Sequence, residues 1–402
     1  MKILTVNSGS SSIKFQCMDM EGETVLCSGT IERLGLPGSR MKYLRGETAV
    51  VTENLEIPDH RRGFGLILET ITGKDTGVVA REEIRVIAHR FVHGSDRITQ
   101  AELITPEIEG IITENFLLAP LHNPPALEGY RAARQELPGI PHVAVFDTAF
   151  HATIPEENFL YAIPREYYEK YQIRRFGYHG ASHRYVTSRA AELLGKPLPE
   201  VNLVTFHIGG GVSLAAIRNG KSVDTSVGFG TNCGVPMGTR SGDMDMDVIF
   251  YLLETLKMPL EEIRTLLYRN SGLLGLSGVS SDMRDLRKAA AEGNSRAALA
   301  LGNFTHAARR YIGALATSLG GRMDALVFTA GIGENSPETR EEICRGLEIL
   351  GIRLDPEKNR VTGREAVVSR EDSPVKVLVI PTNEELMMAR EALDAVPADR
   401  KI

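Results

Sequence analysis

At 402 residues the chain exceeds a typical single domain, and its 42% hydrophobic and 24% charged residues describe a globular protein of two domains. A formal net charge of −6 argues against nucleic acid or an anionic membrane recognised through bulk charge, so basic residues that matter act locally. Too few apolar residues precede Asn7 for a signal peptide and no apolar run approaches membrane-spanning length, so the expectation is a cytoplasmic protein without membrane partners.

Met1 to Phe15 reads as strand, tight polar turn and strand. Ile3, Leu4 and Val6 form a buried run, Asn7 to Ser12 is dense in Gly and Ser, and Ile13 to Phe15 resume the strand pattern. Such a turn brings N–H groups and hydroxyls close to an oxyanion, with Lys14 as a point charge; a surface hairpin is the competing reading. Strands are expected at Thr24 to Ile31 and Thr48 to Ile57, separated by the Gly- and Pro-containing stretch Gly35 to Ser39, and a helix at Arg61 to Ile71 capped by Gly73. The strand Ile84 to Ala88 runs into His89 and Arg90, placing a cation at a strand's carboxyl end, where open α/β sheets bind ligands. Glu107 to Asn115 is expected to be a helix stopped by Pro120, Pro124 and Pro125, followed by a helix from Leu127 to Leu137. Val143 to Phe146 is a buried strand ending on Asp147, and the domain junction is expected between Thr148 and Pro155.

The second half echoes the first. Val201 to Phe206 is an apolar run, His207 to Ser213 a Gly-rich turn (HIGGGVS) and Leu214 to Ile217 a second strand, so strand, Gly/Ser turn and strand occur twice. Repetition at this spacing points to two related domains, each offering a phosphate loop to a shared cleft. Upstream, Ser182 is the expected N-cap of a helix reaching Leu194 and closed by Gly195. Asn219 and Gly220 make a hairpin turn, which removes the near-match of Ala215 to Ser222 to a Walker A loop. Asp243, Asp245 and Asp247 imitate a calcium loop, but Val248 occupies the position of its key Gly, and Val248 to Leu253 reads as the start of a buried helix. Asn294 caps a long helix ended by Gly320 and Gly321. The strand Ala325 to Phe328 opens into Gly331, Ile332 and Gly333 at a helix start, an arrangement that favours nucleotide contact. Ser336 and Pro337 begin another helix, and the strand Val375 to Ile380 leads through Glu384 into the last.

Cys17, Cys27, Cys233 and Cys344 show no metal-ligand spacing and are expected to be reduced, mostly buried thiols. His89 and His93, like His179 and His183, stand four residues apart but lack the Glu of a HExxH zinc site.

Eight segments, VNSGSSSIKF (6–15), HRFVHG (89–94), PLHNPP (120–125), FDTAFH (146–151), FGYHGASHRYV (176–186), NGKSVDTS (219–226), MGTRSGD (237–243) and TAGIGEN (329–335), resemble the acetate kinase family in that family's order. The resemblance implies the duplicated α/β architecture of actin, sugar kinases and Hsp70: two ribonuclease H-like domains with mixed central sheets flanked by helices and a nucleotide cleft between them. It divides the chain into an N-terminal acceptor and phosphate domain, 1–150, with the C-terminal helix 385–402 packing back on it, and a nucleotide-binding domain, 151–384. It implies phosphoryl transfer between ATP and acetate with Mg²⁺ or Mn²⁺, and a homodimer.

Because a carboxylate acceptor is already an anion, such chemistry needs fixed cations and a metal more than a base. By the resemblance Arg90, Asp147, His179 and Arg240 are catalytic, Asn7 and Glu384 position the metal, and Ser10, Ser12 and Lys14 line the phosphate side. His207 with Gly209, Gly210 and Gly211, and Gly331, Ile332, Gly333, Glu334 and Asn335, hold the nucleotide, while Arg90, Val92, Leu121, Tyr178 and Thr231 surround the acid. Departures from the family pattern are Gly210 where Asn is common, Phe91 and Ser95 in the HRFVHG segment, Tyr178 for Phe, and GTNCGVP (230–236), with Thr231 in place of a pocket proline. Propionate or another short acid is therefore an alternative acceptor. A sugar kinase using Asp147 as base, or a non-catalytic nucleotide-driven scaffold, are the remaining readings.

Overall fold

The computed structural model describes residues 1–397, which form two compact units, one of Met1–Phe150 together with the segment from Asn383 onward and one of His151–Thr382. The first unit is built on an eight-stranded sheet of β1 (Lys2–Ser8), β2 (Ser12–Asp19), β3 (Thr24–Glu32), β4 (Ser39–Arg45), β5 (Thr48–Leu55), β6 (Ile84–Phe91), β7 (Glu102–Leu103) and β8 (His142–Phe146), in the order β5-β4-β3-β2-β1-β6-β8-β7. The second holds a six-stranded sheet of β9 (Leu203–Ile208), β10 (Val212–Arg218), β11 (Lys221–Thr225), β12 (Ala325–Thr329), β13 (Ala366–Val367) and β14 (Lys376–Val379), in the order β11-β10-β9-β12-β14-β13.

The duplication is exact in connectivity. In each unit a central strand, β1 or β9, pairs antiparallel with its successor, which pairs antiparallel with the third. On its other edge the central strand pairs in parallel with a later strand, β6 or β12, which pairs in parallel with β8 or β14. The parallel strands are mostly apolar because helices cover the sheet: Leu4 and Val6 of β1 pack with Phe64 and Ile67 of the helix His60–Thr72 and with Ala132 and Ala133 of the helix Asn123–Glu136. The helix Glu384–Ala395 returns to the first unit against β1, β6 and β8, where Arg390 grips Glu23 through two bonds of 2.7 and 2.6 Å. The expected helix end is shorter, at Ala395, and residues 398–402 of that expectation lie outside the described residues.

Several local expectations are corrected. The Gly35 to Ser39 stretch leads into a further strand, β4, because Gly35 and Gly38 turn the chain at φ of 76° and 74° and Ser39, Met41 and Tyr43 then alternate inward. Pro124 and Pro125 begin the helix Asn123–Glu136 rather than stop its predecessor, since first-turn residues need no amide hydrogen. Ser182 lies inside the helix Gly180–Leu194; the residue before that helix is His179, held left-handed at φ 57°. Val248 to Leu253 is helical, an α-turn at Asp247–Phe250 running on into a π-helix at Tyr251–Thr255, but it is not buried: Val248, Phe250 and Tyr251 are 41, 55 and 56% exposed. All four cysteines are free thiols, three of them buried. Among the described residues no helix is long and apolar enough to cross a membrane.

Beneath the first sheet, His89 Nε2 and His142 Nδ1 are 2.9 Å apart, their rings stacked beside Tyr130. Burial holds His89 well below the ordinary imidazole range and His142 at about 4. Between that value and 6.5 the unfolded chain binds more protons than the folded one, so stability falls as pH is lowered through this window. The His142 contribution amounts to roughly 3 kcal/mol by pH 4. Urea midpoints of the wild type should therefore drop between pH 7 and pH 5 more steeply than those of His142→Asn, and equal slopes would contradict this coupling.

Candidate active site

In the first unit the polar side chains collect at the carboxyl ends of the parallel strands. Asn7, next to last in β1, sits opposite Lys14 in register, the turn between them being closed by Gly9 N–H donating to the Ser12 carbonyl at 2.8 Å and by His60 Nε2 at 2.9 Å from the Gly9 carbonyl. Ser10 and Lys14 are exposed, whereas Asn7 and Ser12 are half-buried. Arg90, near the end of β6, donates from Nε and Nη2 to Asp147 just beyond β8, at 2.9 and 2.7 Å. Glu384 opens the C-terminal helix behind the Asn383 cap, with Oε2 3.9 Å from Arg90 Nη2.

The electrostatics of this group are uneven. Burial opposes the Arg90 charge, yet Asp147 and Glu384 outweigh it and push the guanidinium further up. Burial raises the Glu384 carboxyl above its usual range, reinforced by Asp147 and Glu385 and offset by Arg90 and Lys14. Val92 is positioned by Asn123, whose amide oxygen accepts from the N–H groups of Val92 and His93 at 3.2 Å and whose Nδ2 donates to the His93 carbonyl at 2.8 Å. Asn123 was not among the expected site residues, although its place inside the quoted segment PLHNPP (120–125) was the available signal. Leu121 is 69% exposed.

In the second unit the two quoted histidine motifs lock together. His179 and His207 stack with ring centres 4.2 Å apart, and His207 Nδ1 is 2.8 Å from Ser182 Oγ, which Thr382 reaches at 2.9 Å. Gly211 clears space for this pair, since a Cβ there would stand 3.1 Å from His179 Nε2. A cavity of about 850 Å³ lies beside it, lined by Gly209, Gly210, Gly331, Ile332 and Asn335 of the expected set. His207, Gly211, Gly333 and Glu334 do not line it. Glu334 instead accepts from the Thr382 N–H at 3.0 Å, and the carbonyls of Gly333 and Glu334 are bound by Arg340.

The cavity also takes Ser281, Asp282, Met283, Arg284 and Arg287 from the start of the helix Met283–Ala291, residues the sequence reading passed over. Asp282 before a helical pattern was the only signal. Arg240 is half-buried and donates from Nη1 to the Thr231 carbonyl at 3.0 Å; burial lowers its pKa, and it has no acidic partner among the described residues. The unusual 230–236 loop is fastened by side chains: Gly228 N–H donates to Cys233 Sγ at 2.9 Å, Asn232 to Ser241 at 2.9 Å, and Gly234 N–H to Asp243 at 2.8 Å. Asp243 thus fastens the loop. The Tyr178 hydroxyl donates to the Phe229 carbonyl at 2.7 Å, so the extra oxygen relative to Phe is satisfied.

Arg340 is fully buried and donates to the Asn359 side chain and to the carbonyls of Gly333, Glu334, Asn359 and Val361 at 2.7 to 3.0 Å, burial drawing its pKa to about 10. Replacing it by Met should leave these acceptors unpaired, lower stability by more than about 3 kcal/mol in urea denaturation and weaken nucleotide binding. A loss below about 1 kcal/mol would exclude this bracing role.

The Acetokinase family model matches residues 2–390. Acetate kinase of Thermotoga maritima is 51% identical over 98% of this chain and 99% of its own. Among solved structures, acetate kinase of Porphyromonas gingivalis superposes with a TM-score of 0.94 at 42% identity, covering 98% of this chain and all of its own. A propionate kinase from Francisella tularensis superposes with a TM-score of 0.91 at 37% identity over 98 and 100% of the two chains. With its mixed α/β fold of two helix-flanked sheets and this match along nearly its whole length, the chain belongs to the acetokinase family.

Proposed function

We propose that the protein catalyses reversible phosphoryl transfer between ATP and acetate, giving acetyl phosphate and ADP by direct in-line attack. The single observation that carries this reading is Arg240, a half-buried guanidinium without a carboxylate partner among the described residues, which is electrostatically incomplete until an anion arrives. Both substrates are anions, and their mutual repulsion is the main barrier to bringing them together. Arg90, Arg240 and His179 offset it, Arg90 facing the acceptor carboxylate and His179 the transferring phosphoryl group. Gly209, Gly210, Gly331, Ile332 and Asn335, with the cavity they line, take the nucleotide. By the family resemblance Val92 and Leu121 of the first unit, and Tyr178 and Thr231 of the second, are assigned to the alkyl end of the acid.

Asp147 acts by holding Arg90. Both its carboxylate oxygens accept from the Arg90 guanidinium, which leaves them turned to that cation instead of to a sugar hydroxyl and disfavours the sugar-kinase reading. Asn7 and Glu384 offer hard oxygen donors, and among the described residues no three His, Cys, Asp or Glu side chains gather into an all-protein metal cage. That donor set suits Mg²⁺ or Mn²⁺, which retain waters and bind through few carboxylates and substrate phosphates. When bound, the ion supplies positive charge to the phosphate oxygens. A cytoplasmic homodimer completes the reading, supported by the exposed apolar side chains Met246, Val248, Phe250 and Tyr251.

Incubation with Mg-ATP, hydroxylamine and a series of short carboxylates should yield hydroxamate with acetate; no product with any acid would leave the scaffold reading standing. The same series tests propionate, the reading favoured by the altered 230–236 loop. Arg90→Ala and Arg240→Ala should each lose about 10³ in turnover with the fold intact, and near-normal turnover of either would remove it from the machinery. A side chain added at Gly210 meets open space, so Gly210→Asn should keep its melting temperature and lower KM for ATP; an unchanged KM would show that this position makes no contact with phosphate.

A further inference from the structure

Behind His179 a row of polar side chains crosses from the helix Gly180–Leu194 to β10 and β9. His179 Nδ1 is 2.8 Å from Ser213 Oγ, Ser213 Oγ is 2.8 Å from His183 Nε2, and His183 Nδ1 is 2.7 Å from Thr205 Oγ1. Thr205 Oγ1 also reaches the Ala215 carbonyl at 3.4 Å. His183, Thr205 and Ser213 are shut off from solvent, so their protons must be settled within the row. Burial, with His151 and His207 nearby, holds His183 well below the usual imidazole range, and the ring is therefore neutral.

Ser213 has one hydroxyl proton and stands between two imidazole nitrogens. It donates to one and accepts from the other, which ties the tautomers of His179 and His183 together. Two orders are self-consistent for neutral rings. In the first, His179 Nδ1–H donates to Ser213, Ser213 to His183 Nε2, His183 Nδ1–H to Thr205, and Thr205 to the Ala215 carbonyl. In the second every arrow reverses and Thr205 donates to His183, which leaves its contact with Ala215 unused. The first order satisfies one more bond, and buried polar groups favour the fully satisfied arrangement.

We propose that Thr205, His183 and Ser213 hold His179 as its Nδ1–H tautomer, so that Nε2 is the nitrogen through which His179 acts on the transferring phosphoryl group. This rests on the assignment of His179 given above. In that tautomer a neutral ring offers phosphoryl oxygens only a lone pair. Ser213 accepts from Nδ1–H whether or not Nε2 carries a proton, so the same ring orientation serves when His179 meets a phosphoryl oxygen through Nε2–H. Ser213, His183 and Thr205 are positioning residues, buried and acting through His179. The left-handed backbone of His179, at φ 57°, and the missing side chain of Gly211 fit a ring whose placement is held at some cost in strain.

The test is imidazole nitrogen NMR on the full-length protein labelled with ¹⁵N at histidine, recorded above the imidazole titration range, with the His179 signals identified by their loss in His179→Gln. Nδ1 should be the protonated nitrogen of His179. Ser213→Ala should shift His179 toward the Nε2–H form that histidine prefers in water and lower kcat by about 10–100-fold, with KM for ATP and acetate changed less than about twofold. Ser213→Thr, which keeps the hydroxyl, should restore both tautomer and kcat. An Nε2–H tautomer in the wild type, or a His179 tautomer unmoved by Ser213→Ala, overturns the proposal. Normal turnover of His179→Gln would instead overturn the catalytic assignment beneath it, whatever the tautomer.

Discussion

A guanidinium group drawn partly or wholly out of water and held in one place is the constraint that recurs in both units. Each of three arginines meets it differently. Arg90 is clamped by two bonds from Asp147, with Glu384 alongside, so its charge is reinforced and its orientation set. Arg240 is held by the Thr231 carbonyl, which orients the fork without neutralising it. Arg340 is sunk entirely among carbonyls and the Asn359 amide, and its charge braces the turn after β12 from below. The partner decides the use. A carboxylate fixes a cation, a carbonyl leaves one available for an anion, and several carbonyls turn one into a structural tie.

The sheet topology explains why polar groups concentrate where they do. Parallel strands buried on both faces leave only their ends for chemistry, and the carboxyl ends are where the chain turns away. Asn7, Arg90 and Asp147 end or follow β1, β6 and β8, which are neighbours in one sheet. His207 and Thr329 are register partners near the ends of β9 and β12 in the other. The repeated connectivity therefore delivers two equivalent sets of strand ends, and the side chains placed there differ: carboxylates and an arginine in the first, histidines and glycines in the second. The histidine set is tied by hydroxyls: Ser213 lies between the rings of His179 and His183, Ser182 meets His207, and Thr205 meets His183.

The strand, turn and strand repeats were legible because buried parallel strands are continuous apolar runs and their turns need Gly and Ser, both local signals. Charges at strand ends, Arg90 next to last in β6 and Asp147 just past β8, were legible for the same reason. What escaped were contacts between distant segments. Asn123 supports HRFVHG from across the chain, and Arg340 reads in sequence as one more polar residue of an amphipathic helix although it is wholly buried. The Met283–Ala291 helix start joins the cavity beside Gly209 and Gly331 only through tertiary packing. Pro124 and Pro125 misled because proline ends one helix and begins the next with equal ease.

The duplicated α/β architecture and the family follow from the amino-acid order alone, since they depend on short patterns of apolar runs, glycines and motif residues. The tertiary structure alone decided how each motif side chain is held. Hydrogen-bond partners and burial set whether an arginine is neutralised or left available, whether a serine caps a helix or separates two imidazoles, and which nitrogen of a histidine carries the proton. Those properties belong to pairs of residues far apart in the chain, and no local pattern encodes them.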